Sequence, residues 1–201
     1  MKKYDQQYYI IERADDDKLP YLTADKNTED RNFQYERQLV GTPPLGFLNG
    51  WKDENLAQGI KAIVPDILFA GTAPVVHSPI REALLNYDIP NLHMHPTFYI
   101  HDNGKWHEDL WYMTFTDRFD CWDRERSAYE PEPLEMGGFK LFNIYTYSLN
   151  EELLDKTPLE QRLLFKMGGS IDAFVVCHQK LLGLFRGDGK NGAKLTPIHE
   201  Y

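Results

Sequence analysis

With 201 residues, 42% of them hydrophobic and 26% charged, the chain has the size and composition of one globular domain that can bury a core without disulfides or a structural metal. A formal charge of −9 and a pI near 5.2 argue against a phosphate-backbone binder and suit a basic protein partner, because opposite charge speeds encounter. No run approaches the ~18 apolar residues of a membrane-spanning helix, the N-terminal apolar run is too short for a signal peptide, and Cys121 and Cys177 form no C-x-x-C pair; together these predict a cytoplasmic protein in a reducing compartment.

In chain order, YDQQYYIIE (4–12) reads as a first strand, closed by the acidic turn Asp15-Asp16-Asp17. Residues 18–50, broken by Pro20, Pro43, Pro44 and several glycines, read as loop with a short strand at 33–40. ILFAG (67–71) is a short buried strand. Ser78 then caps a helix with Pro79 at its first position, and Ile80, Ala83, Leu84 and Tyr87 form one apolar stripe that ends before Pro90.

The stretch from Asn91 to Phe115 holds four histidines, His93, His95, His101 and His107. Asn103-Gly104 between two extended runs predicts a hairpin with a two-residue loop. In that register Met94 faces Met113, Tyr99 faces Glu108 and His101 faces Trp106. Alternation then divides the side chains. Leu92, Met94, Phe98, Ile100, Trp111, Met113 and Phe115 form a core face. His93, His95, Thr97, Tyr99, His101, Glu108, Tyr112 and Thr114 form a largely wet one. His95 and His101 then lie about 20 Å apart along the strand at ~3.3 Å per residue, too far to share an ion, and His107 points away. The expectation is solvent-facing histidines and no metal.

Asp117, Asp120 and Asp123 follow at three-residue spacing, a pattern that suits a cation or acid–base chemistry. Arg118, Arg124 and Arg126 are interleaved with them, which favours an ion-paired structural turn. No nucleophile elbow, zincin, Walker or dinucleotide motif occurs, and the paired glycines read as turns. Further on, Thr157-Pro158-Leu159-Glu160 matches a capping box opening a short helix. LLFKM (163–167) and DAFVVC (172–177) read as strands, HQKLLGLF (178–185) as a helix, GDGKNG (187–192) as a turn and AKLTPIHEY as a terminal strand or extended tail.

The run from Ile89 to Tyr129, with its Trp-Tyr-hydrophobic segment followed by Asp120, Asp123 and Ser127, resembles a family of bacterial immunity proteins from polymorphic-toxin and type VI secretion loci, the eleventh numbered class, formerly a domain of unknown function. The strand, strand, helix, Gly, strand pattern of residues 163–201 is similar to that family's ending. The resemblance spans about 63–201, with 1–62 less distinctive, and departs at Cys177-His178, where a Val-Ser helix start is expected. It implies a non-enzymatic protein that binds a cognate antibacterial toxin and blocks it, and carries over no catalytic residue.

The expected architecture is therefore a single α+β domain over 1–201, mainly antiparallel sheet with a few short helices packed on it. No catalytic, cofactor or metal residues are assigned. The toxin-binding surface is sought at two acidic clusters, Asp15, Asp16, Asp17 and Glu130, Glu132, Glu135, or at an outer aromatic face of Tyr99, Trp106 and Tyr112. The competing class is an enzyme, such as a metal-dependent hydrolase, that reverses a toxin's modification with His93/His95 or the carboxylates of 117–123.

Overall fold

Residues 3–186 and 191–201 are described by the structure, a computed structural model; most of the expected turn at 187–192 lies outside them. The strands in chain order are β1 (Tyr8–Arg13), β2 (Leu22–Ala24), β3 (Leu45–Asn49), β4 (Ile67–Ala70), β5 (Ala73–His77), β6 (Leu92–Ile100), β7 (Trp106–Phe115), β8 (Ala128–Tyr129), β9 (Leu134–Met136), β10 (Phe139–Leu141), β11 (Ile144–Thr146), β12 (Leu164–Lys166), β13 (Val175–His178) and β14 (Ala193–Pro197). The helices are short: α1 (Lys26–Glu29), α2 (Lys52–Gln58), α3 (Ser78–Leu84), α4 (Glu151–Lys156) and α5 (Leu182–Phe185). The class is α+β, mostly antiparallel sheet with a few short helices.

One sheet has the order β12-β13-β1-β14, with every neighbour antiparallel. The other runs β2-β3-β6-β7-β5-β4 and is antiparallel except where β3 lies parallel to β6. Two ribbons, β9–β10 and β8–β11, stand apart from both.

Period-two alternation divides the apolar residues among three cores. Ile11, Val175 and Cys177 of the first sheet meet Ile67, Phe69, Val76, Met113 and Phe115 of the second, so one core lies between the sheets. Their neighbours in sequence point the other way: Tyr8, Ile10, Phe165 and Val176 pack with Trp122, Leu149 and Leu154. Leu68, Val75, Tyr99, Leu110 and Tyr112 pack with Phe33, Leu45 and Phe47. Both large sheets are therefore covered on both faces, which explains the continuous apolar runs Ile10-Ile11, Val175-Val176-Cys177 and Ile67–Ala70.

The β6–β7 hairpin forms where expected, and pairs from Leu92↔Phe115 to Thr97↔Leu110, including Met94↔Met113, keep the predicted register. Beyond them a bulge moves the register by one, to Tyr99↔His107 and Ile100↔Trp106. The turn explains the shift. His101 N–H donates to Lys105 O at 2.9 Å, Gly104 N–H donates to His101 O at 2.8 Å, and Gly104 sits at φ +83°, so the loop has three residues and a left-handed glycine rather than two. His107 consequently shares a face with Tyr99 and His101, with ring centroids 6.1–6.2 Å apart.

The expected wet face is the larger correction. Thr97, Tyr99, Tyr112 and Thr114 are buried, with Tyr99 at 0% and Tyr112 at 2% exposure. Residues 22–49 lay Phe33, Leu45 and Phe47 across this face, and Phe33 meets Tyr112 edge-on at 5.1 Å. Met94 and Trp111, expected in the core, are half-buried; so is His95, whose Nε2 lies 3.0 Å from Pro43 O, while Glu108 is exposed.

Smaller differences have local causes. No strand forms at 33–40, where turns hold the chain. Ser78 is the first residue of α3 rather than its cap; its hydroxyl donates to Asp109 and accepts Trp111 Nε1–H at 2.9 Å. The segment after Thr157 is a 3-10 turn without a side-chain cap, and the preceding helix α4 is capped by Asn150 Oδ1, which accepts Leu153 N–H at 2.9 Å. The expected helix at 178–185 begins as a 3-10 turn, for which His178 Nδ1 serves as the cap by accepting Lys180 N–H at 3.2 Å.

Candidate functional site

The sequence-predicted contact residues separate into buried and exposed sets. Tyr99 and Tyr112 belong to the core and offer no outer face. Trp106 is 54% exposed, stacked on Phe98 at 4.7 Å. Asp15, Asp16 and Asp17 are exposed around a hollow that Lys18 and Lys61 also line. Arg13 lies against the same turn: its guanidinium donates to Asp16 O and Leu19 O and covers the Trp51 ring at 4.5 Å. The aspartate turn is thus partly compensated by Arg13 and Lys18, which flank it in sequence, and by Lys61, which the fold brings to it.

Glu130, Glu132 and Glu135 are all exposed. Glu130 and Glu132 lie in the expected Pro-bearing loop between β8 and β9, and Glu135 lies on β9 of the β9–β10 ribbon. Met136 pairs with Phe139 and Leu134 with Leu141, so one face of the ribbon is apolar; Glu135 and Lys140 pair on the other, 3.9 Å apart. Leu134, Met136 and Phe139 remain half or more exposed, Phe139 at 70%. Tyr145 donates its hydroxyl to Glu130 at 2.6 Å.

Beneath the ribbon lies a cleft of about 940 Å³. Met136, Phe139 and Leu141 line it from the ribbon, Tyr35 and Phe115 form part of its wall, and charge of both signs comes from Arg118, Arg124, Lys140 and Lys166 and from Asp117 and Asp120. Backbone pairing fixes the floor. Phe119 N–H donates to Lys166 O at 2.9 Å, Gly168 N–H to Phe119 O at 3.0 Å, and Phe142 N–H to Gly169 O at 3.0 Å.

The predicted ion-paired turn is part of this floor. Arg124 grips Asp120 with two hydrogen bonds of 2.5 Å, donates to Trp122 O at 2.9 Å, and stacks its guanidinium 3.8 Å over the Trp122 ring. Asp123 pairs with Arg126 at 3.6 Å. Gly169 closes on this pair at φ +65°, where an added Cβ would come within 2.7 Å of Arg124 Nη2 and 2.8 Å of Asp120 Oδ2. Gly169→Ala is accordingly expected to cost about 1–3 kcal/mol, from backbone strain and from displacing the arginine. Denaturant unfolding measures it, and a loss below about 0.5 kcal/mol would contradict this packing.

Arg118 and Lys166 differ from Arg124. Among the described residues, no carboxylate lies within ion-pair distance of either side chain. Burial, and secondarily the charge of Arg118, pushes the Lys166 amine down to about 8. The sequence placed Arg118 in the ion-paired turn, which Arg124 and Arg126 join and Arg118 does not, and it did not single out Lys166. The available signal was a lysine inside the apolar strand LLFKM, on the same strand parity as Leu164.

The residues of the enzyme reading are dispersed. His93 contacts Thr116 Oγ1 at 3.5 Å, His95 contacts Pro43 O and Arg31, and Asp120 and Asp123 are ion-paired. Among the described residues no three His, Cys, Asp or Glu side chains come together as a metal-holding group. No helix among them is long and apolar enough to cross a membrane.

Neither the protein-family models nor the curated proteins contain a match to this chain.

Proposed function

We propose that the chain is a non-catalytic immunity-type protein that binds a cognate, basic antibacterial toxin in the cytoplasm and blocks it by occlusion. The observation that carries this reading is the β9–β10 ribbon, on which exposed Leu134, Met136 and Phe139 stand beside exposed Glu130, Glu132 and Glu135. Apolar anchors bordered by charge are what a protein interface uses, the anchors for affinity and the carboxylates for steering toward a cationic partner. The net charge of −9 acts in the same direction. So does the resemblance of residues 63–201 to the immunity family. Two free, buried cysteines suit a reducing cytoplasm.

The test takes as its partner the toxin domain encoded beside this protein's gene. Charge reversal of Glu130, Glu132 and Glu135 to Lys is expected to slow association and flatten its salt dependence. Phe139→Ser is expected to raise the dissociation rate. Reversal of Asp15, Asp16 and Asp17 should act more weakly, because Arg13, Lys18 and Lys61 already offset part of their field. Protection at one protein per toxin fits occlusion; protection at a small fraction of that ratio would overturn it in favour of an enzyme.

A further inference from the structure

Lys166 occupies a position that an apolar strand residue would ordinarily take. In β12 the side chains of Phe165 and its successor Met167 enter the core on the outer side of the first sheet, whereas Leu164 enters the core between the sheets. Lys166 has the parity of Leu164, so its stem emerges from the rim of the inter-sheet core into the cleft, near Phe115. Its backbone is fixed from both sides, by pairing with Val175 in β13 and by the hydrogen bond from Phe119.

Placing an ammonium there carries a desolvation cost, and setting Arg118 beside it adds repulsion. Lys3, Arg81, Arg124, Arg126, Lys140, Lys156 and Lys194 each meet a carboxylate. Other cations, such as Lys18, Lys26 and Lys61, are exposed to water, and the less exposed Arg13, Arg31 and Arg162 donate to neutral oxygens. Arg118 and Lys166 are half-buried, and among the described residues their side chains meet neither kind of partner. Cations held in a cleft at such a cost mark a place where negative charge is received.

We propose that the cleft beneath the β9–β10 ribbon binds an organic phosphate, with Arg118 and Lys166 receiving the phosphate and Tyr35, Met136 and Phe139 covering an apolar or aromatic body. Two cations match a dianion, and an arginine fork fits phosphate oxygens through paired N–H donors. The volume of about 940 Å³ lies in the range of small-molecule sites. The ribbon supplies the apolar wall those sites need, and the exposure of Phe139 and Met136 is what a ligand in the cleft would reduce. Lys140, paired with Glu135 across the ribbon, lines the same cleft and adds to its positive charge. Asp120 does not compete for the cations, because Arg124 already holds both of its oxygens.

The experiment is calorimetric titration of the full chain at pH 7 with phenyl phosphate, 3-phenylpropionate and inorganic phosphate. Phenyl phosphate is expected to bind with a Kd below about 1 mM, and the other two probes more weakly, one lacking the second charge and the other the apolar body. Lys166→Met and Arg118→Gln should each weaken phenyl phosphate about tenfold or more, the range of a lost charged hydrogen bond. Lys166→Met should also raise the melting temperature, because it removes a poorly solvated charge, so lost binding will not be confused with lost folding. Phe139→Ser should weaken phenyl phosphate and leave inorganic phosphate unchanged. Absence of phenyl phosphate binding at about 5 mM, or unaltered binding in both cation variants, would overturn the site. Equal affinity for phenyl and inorganic phosphate would overturn the role of the ribbon, and tighter binding of 3-phenylpropionate would overturn the choice of phosphate. Toxin association, measured separately on Lys166→Met and Arg118→Gln, which change none of the proposed toxin contacts, keeps failure of this site distinct from failure of the immunity reading.

Discussion

Tyr112→Ala is expected to cost about 3–5 kcal/mol, the range for truncating a fully buried aromatic. The ring is 2% exposed, meets Phe33 edge-on at 5.1 Å and lies parallel to Phe47 at 6.0 Å. Burial pushes its phenol well above the usual range. Losing it opens a cavity between β6, β7 and the covering segment that carries Phe33, and that segment has little regular structure with which to close the gap. Trp106→Ala, which the sequence grouped with Tyr112 as an outer-face aromatic, should cost about 1 kcal/mol or less, since its ring is 54% exposed. Chemical denaturation of the two variants checks the contrast. Similar small losses in both would restore the outer-face assignment.

A second large effect is expected on acidification. His178 is buried, with the Tyr8 ring edge-on at 5.1 Å, and burial, then the charges of Arg162 and Lys180, pushes its imidazole down to about 4. Its Nδ1 accepts the Lys180 N–H, so the native tautomer carries its proton on Nε2, toward Gln7 Oε1 at 3.3 Å. In the unfolded chain the ring titrates near its ordinary value of about 6.5. Above that value both states are neutral and the group has no effect. Between 6.5 and 4 the unfolded chain binds a proton that the native protein refuses, so stability falls as pH falls, by about 3 kcal/mol in all. Unfolding free energies of wild type and His178→Gln from pH 7 to 4 test this. The variant should have a shallower acid limb, and parallel limbs would show that His178 titrates normally in the folded state.

Elements bounded by strong local signals were legible in the sequence: β4 and β14, the Ser78-Pro79 helix start, the Asn103-Gly104 hairpin and the alternation of arginines with Asp120 and Asp123. What failed was the assignment of faces. His93, His95 and Thr97 made one side of the hairpin read as polar, yet Thr97 is buried and its hydroxyl reaches the nearby carbonyl of His95 at 3.1 Å, and His95 is held by Arg31 and Pro43. The cover over that face comes from residues 22–49, whose packing depends on β3 lying parallel to β6. A parallel neighbour arriving from far along the chain leaves no periodic trace. The cleft was hidden for the same reason. Arg118, Lys166 and Phe139 lie on three separate elements, and only the tertiary pairing of residues 119, 142 and 166–169 brings those elements together.

The position of β1 has a consequence for how the molecule comes into being. This strand, near the start of the chain, is flanked on both sides by strands from its far end, β13 and β14. During synthesis Tyr8, Ile10 and Ile11 have no native strand partners until residues 175–197 have left the ribosome. Contacts between such distant segments form slowly, because the loop they close is nearly the whole chain. The β6–β7 hairpin, closed by a three-residue loop, can form early; the first sheet cannot. A nascent chain arrested before residue 175 should therefore expose an unpaired apolar strand to chaperones and proteases, and the shared core should consolidate only once residues 175–197 are available to it.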